Sequence, residues 1–286
     1  MAKYRLGCCV PGASFMPEGE AGIKANALDI LRRGCETIID AGFDYAEAGV
    51  GMIMELTPDE LERVVREKLP LEAANSFIPP TYGIVSGVRA DGMPPLNDYV
   101  REAMRRMSML GIGVVVFGSG AARRIPDGMS LKEGRGFIGG FLRMCARHGE
   151  KYGVTVAIEP LRASECNAIN LTSEGAELAA LERRICEEGG DPEKGERISY
   201  LADAFHMCHG GEPADALTRA DVLPVHIHVS EPPDRTYPGS HGGEYLAAFA
   251  DAIKKTAYSG RVSVECGFSD FEREVGLAYE FVSKLF

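Results

Sequence analysis

Strand and helix signals alternate along the whole 286-residue chain and predict a (β/α)8 barrel, the TIM barrel, as a single domain over residues 1–286. Three observations carry that expectation. Eight short β-type runs each give way to a helical pattern, and no composition break divides the chain. No G-x-G-x-x-G turn follows the first strand, as the competing doubly wound open sheet would require.

The elements follow in order. Tyr4–Val10 reads as a strand and Ala25–Ala41 as a helix, with Ile30, Leu31, Ile38 and Ile39 among its apolar residues. Tyr45–Val50 is the second strand. Thr57 then caps a helix that has Pro58 at its first position and Glu60 closing a capping box. Leu71–Phe77 is the third strand. The segment Ile78–Asp98, with Pro79-Pro80 and Pro94-Pro95 at its ends and Gly83, Gly87 and Gly92 between, reads as a long loop. It lies on the rim after the third strand, where it serves either as a lid walled by Tyr82 or Ile84 or as a contact in a homo-oligomer. A helix over Tyr99–Leu110 leads to the apolar strand Val114–Phe117, and Leu131–Tyr152 forms the next helix.

The last four strands are Val154–Glu159, Ile198–Asp203, Val225–His228 and Val262–Glu265, followed by helical patterns near Ser173–Glu188, Glu212–Thr218, Glu244–Ala257 and Phe271–Leu285. Each of these strands carries one hard ligand near its C-terminal end. Apolar residues such as Val154, Val156 and Ile158 alternate along them, so the ligands fall on the opposite face. Glu159, Asp203, His228 and Glu265 together make a set suited to one divalent ion: Mn²⁺, Mg²⁺, Co²⁺ or Zn²⁺. His226 shares a strand face with His228 but sits deeper, and reads as a buried, hydrogen-bonded histidine. Four ligands leave positions open for substrate oxygens and water, as a catalytic metal needs.

Two arginine-bearing loops accompany the set. Arg235 follows His228 and, placed above a metal, would hold a substrate oxygen with its fork of donors; an isolated loop arginine is otherwise simply solvated. Gly118-Ser119-Gly120 with Arg123 and Arg124 is a weak signal for a phosphate or sugar hydroxyl.

Composition excludes several classes. A net charge of −11 argues against a nucleic-acid partner, and no apolar run approaches the ~20 residues that span a bilayer. Met1–Leu6 opens without the apolar region of an export signal. The cysteines form no C-x-x-C pair, and Cys35, Cys145 and Cys186 fall in helical patterns as small core residues, so a reduced, cytoplasmic protein is expected.

At these residues the chain resembles the xylose isomerase-like barrel superfamily, in its sugar epimerase and isomerase branch, which includes ketose 3-epimerases. The resemblance spans most of the chain and is densest from Val114 onward. It implies one divalent metal held by Glu159, Asp203, His228 and Glu265. It also implies substrate contacts from Glu165, His206 and Arg235, with Glu165 six residues after Glu159, His206 three after Asp203, and His226–Glu231 matching an H-x-H-x-x-E segment. Arg235 stands one residue further from His228 than the family pattern. The tryptophan that often follows the family's Pro-Gly is absent, since the chain has none.

Chemically, the resemblance implies movement of a proton next to a carbonyl through an enediolate, with Glu159 and Glu265 as the acid/base pair acting on a sugar or sugar phosphate. A cyclitol (inosose-type) dehydratase begins with the same proton abstraction and is the main alternative. A non-catalytic carbohydrate-binding barrel would lack one of the glutamates. An apurinic-site endonuclease would carry histidines at the third and fourth strand ends, which here read Asn75 and Phe117-Gly118-Ser119.

Overall fold

The structure, a computed structural model, describes residues 4–12 and 26–286. Ala25, the expected start of the first helix, and Met1–Lys3 lie outside the described residues. Eight parallel strands pair in sequence order and close on themselves, so the (β/α)8 barrel is the fold. They are β1 (Arg5–Cys9), β2 (Tyr45–Gly49), β3 (Leu71–Asn75), β4 (Val114–Phe117), β5 (Thr155–Ile158), β6 (Ile198–Asp203), β7 (His226–Val229) and β8 (Arg261–Val264).

Ten α-helices are described around them: α1 (Ala27–Asp40), α2 (Val50–Glu55), α3 (Pro58–Glu67), α4 (Leu96–Met109), α5 (Leu131–Tyr152), α6 (Thr172–Glu188), α7 (Pro192–Gly195), α8 (Ala204–His209), α9 (Glu244–Lys254) and α10 (Phe271–Leu285). The capping box at Thr57 and Glu60 starts α3 as the sequence predicts, and a second one at Ser130 and Glu133 starts α5. None of the described helices is long and apolar enough to cross a membrane.

Side-chain alternation separates two cores. Outward residues such as Val115, Val156, Ile158, Ile227 and Val262 pack under the helices in one continuous cluster. Inward residues Val114, Val116, Ala157 and Leu201, with Val225, fill one side of the barrel interior. On the other side the filling is aromatic. Gly7 faces Tyr45 in register across β1 and β2, and the Tyr45 hydroxyl reaches Ser263 Oγ at 2.8 Å. The interior is therefore a packed core up to the level where the ligands begin, which puts chemistry at the C-terminal rim.

Three expectations change. The helix expected at Glu212–Thr218 is replaced by α8, which starts directly at the end of β6 because Asp203 Oδ1 accepts the Phe205 amide at 2.8 Å. Gly211, at φ +72°, ends that helix region, and only a 3₁₀ turn at Ala216–Arg219 follows. Glu212 instead holds the first turn of α6 through the Thr172 amide at 3.0 Å and hydroxyl at 2.5 Å. Second, α2 begins immediately after β2, and short α7 precedes β6, where no helices are expected.

Third, the segment after β3 is folded on itself. Tyr82 bridges Arg89, and its buried hydroxyl donates to Pro94 O at 2.7 Å; Ile84 N donates to Ala122 O at 2.6 Å. Helix α4 starts at Leu96 rather than Tyr99. Neither Tyr82 nor Ile84 lines the rim cleft described below.

Candidate metal centre

Glu159, Asp203, His228 and Glu265 converge at one barrel end, each offering a ligand atom within 4.8 Å of the others. The fold explains each position. Glu159 follows the last residue of β5 and its amide donates to Phe117 O at 3.2 Å, so its side chain continues the inward face of Thr155 and Ala157. Asp203 closes β6, and its capping bond to Phe205 uses Oδ1, so that Oδ2 turns to Arg235. His228 pairs in register with Asp203 on one side and Ser263 on the other. Glu265 extends β8 by one residue, with its amide on Val229 O at 3.0 Å.

Glu159 sits under electrostatic stress. Its Oε1 is buried without a hydrogen-bond partner, 3.8 Å from His206 Nε2 and 4.0 Å from His228 Nδ1. Burial, then the Glu265 and Asp203 charges, hold its carboxyl well above the usual range. Glu265 goes the other way: burial opposes its charge, but His228 and Arg235 outweigh that and bring it to about 2. An orphaned carboxylate oxygen among two further carboxylates and an imidazole is a donor set that fits a divalent cation.

The remaining predicted residues gather at the same cleft, a cavity of about 240 Å³ lined in part by Asn75, Ser119, Glu159, His206, Arg235 and Glu265. Arg235 Nη2 lies 3.2 Å from Asp203 Oδ2 and also donates to Glu265 Oε2. Its Nη1 is 3.0 Å from His206 Nε2, while His206 Nδ1 stands 3.2 Å from the Arg162 amide. A neutral imidazole accepts at one nitrogen only, so the ring takes one of these donors, not both. Glu165 also lines the cleft, with its carboxylate held by Arg162 at 2.6 Å.

Arg123 and Arg124 turn away from any phosphate role. Arg123 is fully buried, donates to the Glu159 carbonyl and lies over the Phe117 ring at 5.5 Å; Arg124 donates to Glu165 O at 3.1 Å. They brace the turns that carry the glutamates.

One carboxylate beside the ligand group is not apparent from the sequence. Glu47, on β2, is completely buried and lies between the two histidines: Oε2 is 2.8 Å from His226 Nε2 and Oε1 is 3.0 Å from His228 Nε2. The only sequence signal is an acidic residue in the middle of the short strand Tyr45-Ala-Glu-Ala-Gly. His226 is the buried, hydrogen-bonded histidine expected. Cys9, Glu47 and His228 form a second group with ligand atoms within 4.8 Å of one another. Burial and the Glu47 charge hold the Cys9 thiol well above its ordinary value, and it accepts from Asn75 Nδ2 at 3.1 Å, so it sits there as a thiol.

A family model described as xylose isomerase-like TIM barrel matches residues 35–280. No curated protein matches the chain. Among solved structures, a D-allulose 3-epimerase from Methylomonas sp. is similar at 17% identity and TM-score 0.75, over 99% of this chain and 97% of that one. The IolI protein with a bound zinc atom is similar at 18% identity and TM-score 0.68, covering 98% and 96%. A family 2 AP endonuclease from Brucella melitensis is similar at 18% identity and TM-score 0.67, covering 98% of each chain. At these identities the likeness speaks for the fold, and with the family match over most of its length the chain belongs to the xylose isomerase-like TIM barrel family.

Proposed function

We propose that the chain is a divalent-metal-dependent sugar epimerase or isomerase that moves a proton next to a carbonyl. The observation that carries this reading is the convergence of Glu159, Asp203, His228 and Glu265 at the base of a small cleft that Glu159 and Glu265 line together with His206 and Arg235. A bound divalent ion, Mn²⁺, Mg²⁺, Co²⁺ or Zn²⁺, would supply Lewis-acid polarisation of a carbonyl and its neighbouring hydroxyl. Glu159, Asp203, His228 and Glu265 are the residues that would hold it.

The chain's own groups do the rest. Glu265 takes the carbon-bound proton on one face of the substrate, and Glu159 gives or accepts one on the other, with direction set by the substrate. Arg235 and His206 hold substrate oxygens near the reacting carbons. Glu165, held by Arg162 at the cleft edge, positions a terminal hydroxyl. The cleft favours a free sugar over a sugar phosphate, because neither Arg123 nor Arg124 lines it.

The similar D-allulose 3-epimerase supports the substrate class, and the zinc-bound IolI protein supports a bound metal. The apurinic-site reading is weaker: β3 and β4 end in Asn75 and Phe117 rather than histidine, and the net charge is −11. The test incubates metal-loaded protein with a panel of pentuloses, hexuloses and their phosphates in D₂O. Deuterium entry at the carbon beside the carbonyl, dependent on added metal, is the expected result. Metal binding with no exchange on any member would overturn it, and loss of water from a cyclitol would instead indicate the dehydratase.

A further inference from the structure

We infer that Glu47 is the positioning residue of the metal centre: it fixes His228 as an Nε2–H tautomer whose Nδ1 faces the other ligands. The inference rests on the metal-centre reading above and adds to it a residue outside the ligand set.

His228 has no exposed surface, so its two nitrogens have only protein groups to answer to. Nδ1 lies 3.0 Å from Glu265 Oε2 and 4.0 Å from Glu159 Oε1, on the ligand side. Nε2 lies 3.0 Å from Glu47 Oε1, on the barrel side. A carboxylate can only accept, and one faces each nitrogen, so both N–H groups donate in the metal-free protein. A metal would take the place of the Nδ1 proton, while the Nε2 proton stays with Glu47. A ligating histidine that donates its other N–H to a carboxylate has its ring angle set and its basicity raised.

Glu47 is itself fixed. Its second oxygen accepts from His226 Nε2 at 2.8 Å, and His226 Nε2 is 3.4 Å from Ser263 Oγ, which pairs with the Tyr45 hydroxyl. Residues from β2, β7 and β8 thus lock one buried carboxylate from below the rim. Its negative charge also lies beside the centre without occupying a coordination position.

An isosteric Glu47→Gln change tests this. If the new amide turns its NH₂ to His228, it favours the proton on Nδ1, the wrong nitrogen. If it turns its oxygen there, a neutral acceptor replaces a charged one. Either way metal affinity should fall about 10- to 100-fold. The experiment titrates metal-stripped full-length wild type and Glu47→Gln with Co²⁺, following calorimetric affinity and the visible ligand-field absorption, with melting of the metal-free proteins alongside.

The expected result is weaker binding with an altered absorption envelope. Unchanged affinity and spectrum in a folded Glu47→Gln protein would make Glu47 a structural group only, and the inference fails while the metal centre stands. No Co²⁺ binding by wild type would overturn both readings. A variant that does not fold leaves the wild type to decide, through ¹⁵N-histidine spectra of the ¹¹³Cd²⁺-loaded protein. Cadmium coupling at Nδ1 of His228 with a proton on Nε2 supports the inference, and coupling at Nε2 ends it.

Discussion

Gly118 and Glu159 meet across the ends of β4 and β5 so closely that a Cβ at position 118 would lie 2.2 Å from Glu159 Oε2. The carboxylate occupies the space that any other residue would fill. Gly118→Ala should therefore displace the Glu159 carboxylate, the end of a flexible side chain, rather than break the barrel. A misplacement of about 1 Å at a reacting group can cost on the order of 10²-fold in rate. Metal titration and turnover should both suffer while the melting temperature stays near wild type. A large drop in melting temperature with normal metal affinity would contradict this.

Metal binding should release a proton. The Glu159 carboxyl is raised by burial and by its neighbouring carboxylates, so in metal-free protein it keeps its proton above the ordinary carboxylate range. Ligation requires the carboxylate. Ligation also needs His228 to lose a proton: burial opposes that proton, but Glu47 and Glu265 hold it on the ring. Apparent affinity should therefore climb with pH from the ordinary carboxylate range through the raised Glu159 and His228 values and level off above both. The same raised group favours the metal-free fold at acid pH, and that contribution is lost as pH rises through its folded value. Calorimetry in two buffers of different ionisation enthalpy reads the proton directly, and identical heats in both would remove the effect.

Glu265→Gln should keep the fold and bind metal more weakly, yet stop solvent proton exchange at the reacting carbon. The amide preserves shape and one acceptor for His228 or Arg235, but it cannot take a proton from carbon. Near-normal exchange in this variant would take Glu265 out of the mechanism.

Much of this site is legible in the sequence because one rule places it. Strand alternation puts Glu159, Asp203, His228 and Glu265 on the inward face, and closure of a parallel barrel brings successive strand ends to one rim. The relation of His226 to His228 follows from the same two-residue period. Glu47 is hidden because its meaning is non-local: its partners are 179 and 181 residues away, and nothing in Tyr45-Ala-Glu-Ala-Gly distinguishes an inward carboxylate from an edge one. The arginines at 123 and 124 mislead for a related reason. Their side chains reach backbone carbonyls of the next strand's loop, a choice set by packing rather than by spacing. The missed helix after Asp203 reflects competition, since Asp203 is both a member of the ligand group and the cap of α8.

Gly7→Ala should destabilise the barrel without touching the rim. Its Cβ would sit 2.2 Å from Tyr45 Cζ, and that ring is held inside the barrel by the bond to Ser263. Overpacking of this kind costs about 1–3 kcal/mol, or roughly 2–4 °C per kcal/mol for a chain of this order of size. Thermal melts of the metal-free protein measure it. An unchanged melting temperature would mean that the ring has room to retreat.

The segment after β3 decides between a moving cover and a fixed brace, and Tyr82 is where the two part. Its ring is buried, 5.3 Å from Tyr99, and its hydroxyl donates to Pro94 O at 2.7 Å. The segment also ties to the cleft turn, through Ile78 N on Ser119 Oγ at 3.0 Å and Ile84 N on Ala122 O. A lid would have to break these bonds each time it opened; a brace keeps them throughout. Tyr82→Phe removes one hydrogen bond and leaves Pro94 O without it, which costs about 1 kcal/mol in stability. For a brace, the melting temperature falls while KM and turnover hold, because Tyr82 does not face the cleft. For a lid, the open state is favoured instead, so KM rises at nearly constant melting temperature, and that outcome would restore the moving cover.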